Sequence, residues 1–264
     1  LKISHYLYNA FILEAGRHRI AIDPGALFFY HLRFTTLIPP SEWPGLTHVL
    51  VTHGDPDHYW HADRVAAACE GTVVCNETMV REIGGERLAL GPRDKGLAFT
   101  ARFERLRTLG VGETIDVDGV AITGLATTHG PLTLHLGPFS KTVRPGPDER
   151  IGWGAIGFDI DVAGTRVVNL GDTLLLEDAW TDVRGPDVLM VPIGGGSVDN
   201  TMDERDALRA VEIIQPKLVI PCHYNCPAFF TERFCPADEA LFVREAERLG
   251  VPCRVLRSGD AIQA

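Results

Sequence analysis

Residues 52–58 read Thr-His-Gly-Asp-Pro-Asp-His, so two imidazoles (His53, His58) and two carboxylates (Asp55, Asp57) fall within six residues. Nitrogen and oxygen donors at this density suit a divalent metal ion. A strand-like run, His48–Val51, leads into the segment, and a helical pattern begins near His61. If the segment is extended, the two-residue repeat puts His53, Asp55 and Asp57 on one side, and the turn into the helix brings His58 round to join them. Gly54 and Pro56 suit such a bend. The competing reading is a polar strand-to-helix loop with Asp57 as a helix cap.

Three more candidates stand where strand-like runs end: His129 after Thr127-Thr128, Asp172 after Leu170-Gly171, and His223 after Ile220-Pro221-Cys222. Strand ends are good places for chemistry because a rigid sheet can aim several side chains at one point. The recurrence carries more weight than any single residue. His61 lies one helical turn from His58 and is either a further donor or a solvated helix-start residue. His135 is a candidate substrate contact. Tyr224 and Asn225 are candidate donors to a substrate oxygen, and Asn225 is equally a turn residue. Cys222 and Cys226 flank His223, but without a second cysteine pair they read as buried thiols. Gly194–Ser197 lacks the lysine and spacing of a phosphate loop and reads as a tight turn.

The positioning elements alternate in two halves. A hairpin (Phe11–Leu13, turn at Ala15–Arg17, Arg19–Ile22) ends at Asp23-Pro24-Gly25. A long loop, 26–46, holds Phe28, Phe29, Tyr30 and Trp43, either lining a cleft or packing as a minor core. Helix 62–70, strand 72–75 and helix 77–83 follow, then a surface excursion over 84–98 and strands within 105–128 turning at Asp118-Gly119. A second long loop, 130–154, carries Lys141, Arg144 and Arg150 as candidate holds for an anionic group. A hairpin over 155–170, a strand at 188–193, and a helix opened by a Thr201–Glu204 capping box come next. Strand 218–220, helix 238–249 and strand 253–256 complete the pattern. Two sheets packed face to face with helices outside are expected, as a single domain over 1–264.

The chain has 25 basic and 35 acidic residues, a net charge of −10, which argues against nucleic-acid and anionic-membrane partners. Neither a membrane span nor a secretory signal is legible. Six cysteines without a dense framework point to a reducing compartment, the cytoplasm.

In order, these motifs resemble those of the metallo-β-lactamase fold superfamily: Asp23 after the early strands, His53-x-Asp55-x-Asp57-His58, then His129, Asp172 and His223. The chain is most similar to the branch of metal-dependent hydrolases that includes ascorbate-6-phosphate lactonase. Residues 9–24 (NAFILEAGRHRIAIDP), 191–196 (VPIGGG), 201–207 (TMDERDA) and 220–225 (IPCHYN) carry that similarity. The resemblance implies a four-layer αβ/βα sandwich of α/β class, two mixed sheets flanked by helices. It implies His53, Asp55 and His129 at one metal position, Asp57, His58 and His223 at the other, Asp172 bridging them, and Asp23 holding a ligand imidazole. It also implies a hydrolase that uses metal-activated hydroxide on a small-molecule ester, lactone, amide or phosphoester, with Asp57 handling protons.

Asp55 stands where the family pattern has histidine. An added carboxylate lowers the charge of the site by one and favours Mn or Fe over Zn, or else leaves a single ion bound. The alternatives are an iron-dependent oxidoreductase of di-iron or sulfur dioxygenase type, a nuclease, which the net charge disfavours, and a non-catalytic protein with an altered site. A homo-oligomer is compatible with all of them.

Overall fold

The computed structural model describes residues 1–27, 35–60, 62–83, 86–90, 100–102, 105–136, 139–146, 151–228 and 231–264. The principal strands, in chain order, are β1 (Lys2–His5), β2 (Phe11–Ala15), β3 (His18–Ile22), β4 (His48–Val51), β5 (Thr72–Asn76), β6 (Leu106–Leu109), β7 (Thr114–Val117), β8 (Val120–Leu125), β9 (Gly157–Val162), β10 (Thr165–Asn169), β11 (Val188–Pro192), β12 (Val219–Cys222) and β13 (Ala261–Gln263). The helices are α1 (Pro56–Tyr59), α2 (Ala62–Cys69), α3 (Glu204–Ile214) and α4 (Glu239–Arg248).

One sheet has the order β6-β5-β4-β3-β2-β1-β13 and the other β7-β8-β9-β10-β11-β12. Both are mixed: β3, β4, β5 and β6 run parallel, as do β10, β11 and β12, while the remaining neighbours are antiparallel.

Alternation along the strands creates the layers. Phe11 and Leu13 point to the space between the sheets, where they meet Phe158, Ile160 and Met190, while Ile12 points outward with Val49 and Val51 onto α2 residues Val65 and Ala66. The other sheet does the same, its outward Val168, Leu189 and Val191 packing on Ala207 and Val211 of α3 and Phe242 of α4. The result is the expected αβ/βα sandwich. Among the described residues no helix is long and apolar enough to cross a membrane.

Several local expectations are corrected. The stretch 77–83 is one 3-10 turn, Glu77–Met79, capped by the Asn76 side chain, followed by a strand at Val80–Ile83. That strand pairs with Glu86–Leu90, inside the segment expected to be a surface excursion. The loop 130–154 contains a hairpin, Leu132–Leu136 with Phe139–Val143. The cap of α3 is Asp203, whose Oδ1 accepts from the amides of Arg205 and Asp206, both at 2.9 Å. Thr201 instead bonds Thr173, so the capping-box spacing was coincidental. Residues 253–256 make only an isolated bridge at Cys253, and β13 closes the first sheet. In the 26–46 loop, Trp43, Leu37, Ile38 and Leu46 pack as core, and Phe28, Phe29 and Tyr30 lie outside the described residues.

Candidate metal centre

The site begins where β3 and β4 end. Asp23 takes a left-handed backbone (φ 46°), at a cost of roughly 1 kcal/mol for a residue with a Cβ. Its amide bonds the Leu50 carbonyl at 2.9 Å, and its side chain then extends the ladder: Oδ1 accepts the Thr52 amide at 2.7 Å and Oδ2 the Thr52 hydroxyl at 2.6 Å. The chain turns into α1 with Asp55 at the N-cap position and Pro56 opening the helix, which carries Asp57 and His58. Gly25 makes room for this turn, since a Cβ there would lie 2.1 Å from the carbonyl carbon and oxygen of Asp57.

All seven candidates converge. Their donor atoms form three overlapping groups, each within 4.8 Å: His53, Asp55 and His129; Asp57, His58 and His223; His53, His58 and Asp172. Asp55 Oδ2 lies 3.5 Å from Nε2 of both His53 and His129. Asp57 Oδ2 is 3.4 Å from His58 Nε2 and 3.2 Å from His223 Nε2. Asp172 Oδ2 sits among three imidazoles, 3.1 Å from His223, 3.7 Å from His58 and 3.9 Å from His129. The period-two expectation that grouped Asp57 with His53 and Asp55 is corrected: the helix starts at Pro56 and turns Asp57 towards His58 and His223.

Hydrogen bonding fixes three imidazole tautomers. His58 Nδ1 donates to Asp23 Oδ2 at 2.7 Å, and His129 Nδ1 to the Gly130 carbonyl at 2.7 Å. The Thr52 hydroxyl gives its one proton to Asp23, so it accepts from His53 Nδ1 at 3.1 Å. Each ring thus turns its Nε2 towards the cluster. Those three Nε2 atoms, with Asp172 Oδ1 and His223 Nδ1, are buried without a hydrogen-bond partner among the described residues.

Burial opposes charging at His58, but the carboxylates of Asp57, Asp172 and Asp23 outweigh it and lift its pKa well above the ordinary imidazole value. His223 is raised in the same way, by Asp172 and Asp57 against burial. His129 is lowered because burial dominates. Burial pushes the Asp57 carboxyl up, yet His58 and His223 hold it well below the usual carboxylate range; Asp55 is lowered similarly by His53 and His129.

The remaining candidates are committed elsewhere or not described. The Tyr224 hydroxyl donates to Glu239 at 2.6 Å, and Asn225, with φ 49°, bonds the backbone of Ala237 as a turn residue. Cys222 and Cys226 are buried thiols bonded to Asn9 and to the Tyr224 carbonyl. Gly195–Ser197 is a tight 3-10 turn. Lys141 and Arg144 are exposed; His61, Arg150 and the His135 side chain lie outside the described residues. Sequence reasoning gave no role to Thr52 and Gly152, which bond His53 and Asp55, or to Asn9 and Asn169, which bond Asp23 and Gly171. A polar Asn169 between Val168 and Leu170 in a buried strand was the available signal.

Two mixed sheets face to face between helices, with an imidazole and carboxylate cluster where strands of both end, define the metallo-β-lactamase class of fold. The chain belongs to the beta-lactamase superfamily: the family model for the beta-lactamase superfamily domain matches residues 2–223. It is 30% identical over 260 residues to a UPF0173 metal-dependent hydrolase of Methanopyrus kandleri, covering 97% of this chain and 96% of that one. The fold matches Igni18, a metallo hydrolase from Ignicoccus hospitalis, with a TM-score of 0.69, 22% identity and coverage of 99% and 97%. It also matches CmlA, a diiron beta-hydroxylase from Streptomyces venezuelae, with a TM-score of 0.67 and 13% identity, over 100% of this chain and 54% of that one.

Proposed function

We propose that the chain is a metal-dependent hydrolase of small-molecule esters, lactones, amides or phosphoesters, working as a single domain with one or two ions of Mn, Fe or Zn. His53, Asp55 and His129 hold one position, Asp57, His58 and His223 the other, and Asp172 stands between them. The observation that carries this reading is the set of buried, unpartnered Nε2 atoms on His53, His58 and His129. Left unpaired, each costs about 1–3 kcal/mol; an ion at the first position would satisfy His53 and His129, and one at the second would satisfy His58. Donors that share an ion at ~2.0–2.2 Å sit roughly 3–3.6 Å apart, and most separations between the imidazole nitrogens and carboxylates, 3.1–3.9 Å in all, are close to that.

When bound, the ions supply an acidified water and polarise a carbonyl or phosphoryl oxygen. Asp57 is the proton-handling residue. Its side chain is 22% exposed, against 15% for Asp55 and 2% for Asp172, so it is the carboxylate most open to substrate. Lying beside His58 and His223, its carboxylate accepts a proton from the attacking water and passes it to the leaving group. The net charge of −10 supports a small-molecule substrate over nucleic acid, and six free cysteines support a reducing, cytoplasmic setting.

The test is a hydrolysis panel on metal-loaded protein with Asp57→Asn and His223→Ala. Each variant is expected to lose on the order of 10²-fold or more in kcat/KM. Equal rates for wild type and both variants across metals overturn the reading. A second reading, an iron-dependent oxidoreductase, is favoured by the Asp55 carboxylate facing His53 and His129. Iron content after anaerobic purification, with dioxygen uptake, separates the two.

A further inference from the structure

Two buried amides outside the donor set join the sheets. Asn9, just before β2, is 1% exposed, and Asn169, the last residue of β10, is fully buried. They bond reciprocally: Asn9 Nδ2 donates to Asn169 Oδ1 at 3.0 Å, and Asn169 Nδ2 to Asn9 Oδ1 at 2.9 Å. The remaining bonding capacity reaches towards the site. Asn9 Nδ2 also donates to Asp23 Oδ2 at 2.7 Å, and Asn9 Oδ1 accepts the Cys222 thiol at 3.4 Å. Asn169 Oδ1 also accepts the Gly171 amide at 2.9 Å, and Asn169 Nδ2 meets the Met190 sulfur at 3.4 Å. Every donor and acceptor of both amides is used, and the partner types fix which end of each is nitrogen.

The three outward bonds have a common destination. Asp23 holds His58, Gly171 precedes Asp172, and Cys222 precedes His223. One pair of side chains therefore ties a donor held from the first sheet to two donors at strand ends of the second. Sheets packed only through apolar side chains can slide by tenths of an ångström at little cost. A closed ring of two hydrogen bonds resists such sliding more strongly, because displacement strains the geometry of both bonds.

We propose that Asn9 and Asn169 are positioning residues for the metal centre: their reciprocal amide bridge sets the spacing between His58 on one side and Asp172 and His223 on the other. The inference rests on the reading of these residues as metal donors. Neither amide touches the ion position, so each acts through Asp23, Gly171 or Cys222.

The test compares wild type with Asn9→Leu, Asn169→Leu and the double variant, using Co²⁺ as probe on metal-free protein. The readouts are Co²⁺ affinity, the visible Co²⁺ absorption spectrum and the melting temperature. Each single variant strands a buried amide and is expected to lower the melting temperature. The double variant removes both amides with little change of shape, so it is expected to melt no lower than the worse single variant. It still lacks the bridge: Co²⁺ affinity is expected to fall about 10–100-fold with a changed spectrum. Asn169→Asp, which keeps the shape and the acceptor for Gly171 but loses the donor to Asn9, serves if the leucine variants do not fold; it is expected to weaken Co²⁺ binding in the same direction. His223→Ala is the control for the site itself. If His223→Ala weakens Co²⁺ binding while the bridge variants bind like wild type, the positioning role is overturned and the donor assignment stands. Wild type that does not bind Co²⁺, or His223→Ala that binds it equally well, overturns the donor assignment and the bridge with it.

Discussion

The backbone amide of Gly152 donates to Oδ1 of Asp55 at 3.1 Å, leaving Oδ2 to face His53 and His129. The bond aims a carboxylate that is shorter than an imidazole. Gly152 sits at φ 65°, and a Cβ there would lie 2.4 Å from the Cβ of His129. Gly152→Ala is thus expected to disturb Asp55 and His129 together, weakening metal binding at their position by about 10-fold or more. Metal titration followed by calorimetry reads this; wild-type affinity in the variant would rule out that role for Gly152.

Asp55→His removes one negative charge and exchanges an oxygen donor for nitrogen. In competition among equimolar Mn²⁺, Fe²⁺ and Zn²⁺, the zinc fraction bound by the variant is expected to rise several-fold over wild type. Elemental analysis decides, and an unchanged metal ratio means that Asp55 does not set metal preference.

Gly25→Ala drives a methyl group into the backbone of Asp57 and His58, where no side chain can swing aside. A loss of about 3 kcal/mol in denaturant unfolding is expected, the upper end for overpacking. A change under about 1 kcal/mol would show that the Asp23–Gly25 turn relaxes freely.

Glu239 offers a pH test away from the site. Burial opposes its ionisation, but Arg257 at 2.6 Å and the Tyr224 hydroxyl at 2.6 Å hold its carboxyl below the ordinary range. A pKa lowered on folding adds stability above the unfolded value and loses it as pH falls through the folded one. Glu239→Gln is expected to cost about 1 kcal/mol at neutral pH, allowing for solvent screening around the exposed Arg257. The deficit should fade below the carboxylate range in urea unfolding followed against pH; a pH-independent deficit refutes the ionic account.

Much of the fold was legible because its signals are local. The apolar run Phe11–Leu13 and the alternation within 155–170 mark strands, and the stripe of Ala207, Val211 and Ile214 marks a helix. Misread segments lacked such a signal: 77–83 has helical composition, yet the turn that Asn76 opens stops at Val80, which is extended (φ −110°, ψ 132°) and pairs as a strand with Ala89.

By itself the sequence offered the kinds of candidate donor and their place near strand ends: His53, His129, Asp172 and His223 follow strand-like runs, and Asp55, Asp57 and His58 follow His53 in the turn and the short helix. Tertiary structure decided how they are grouped, which imidazole nitrogen faces inward, and what aims Asp55. Those choices depend on partners distant in the chain: Gly152 is 97 residues from Asp55, and Asn169 is 160 from Asn9. Local periodicity says which face a side chain occupies. Only the packing of the two sheets says what it meets there.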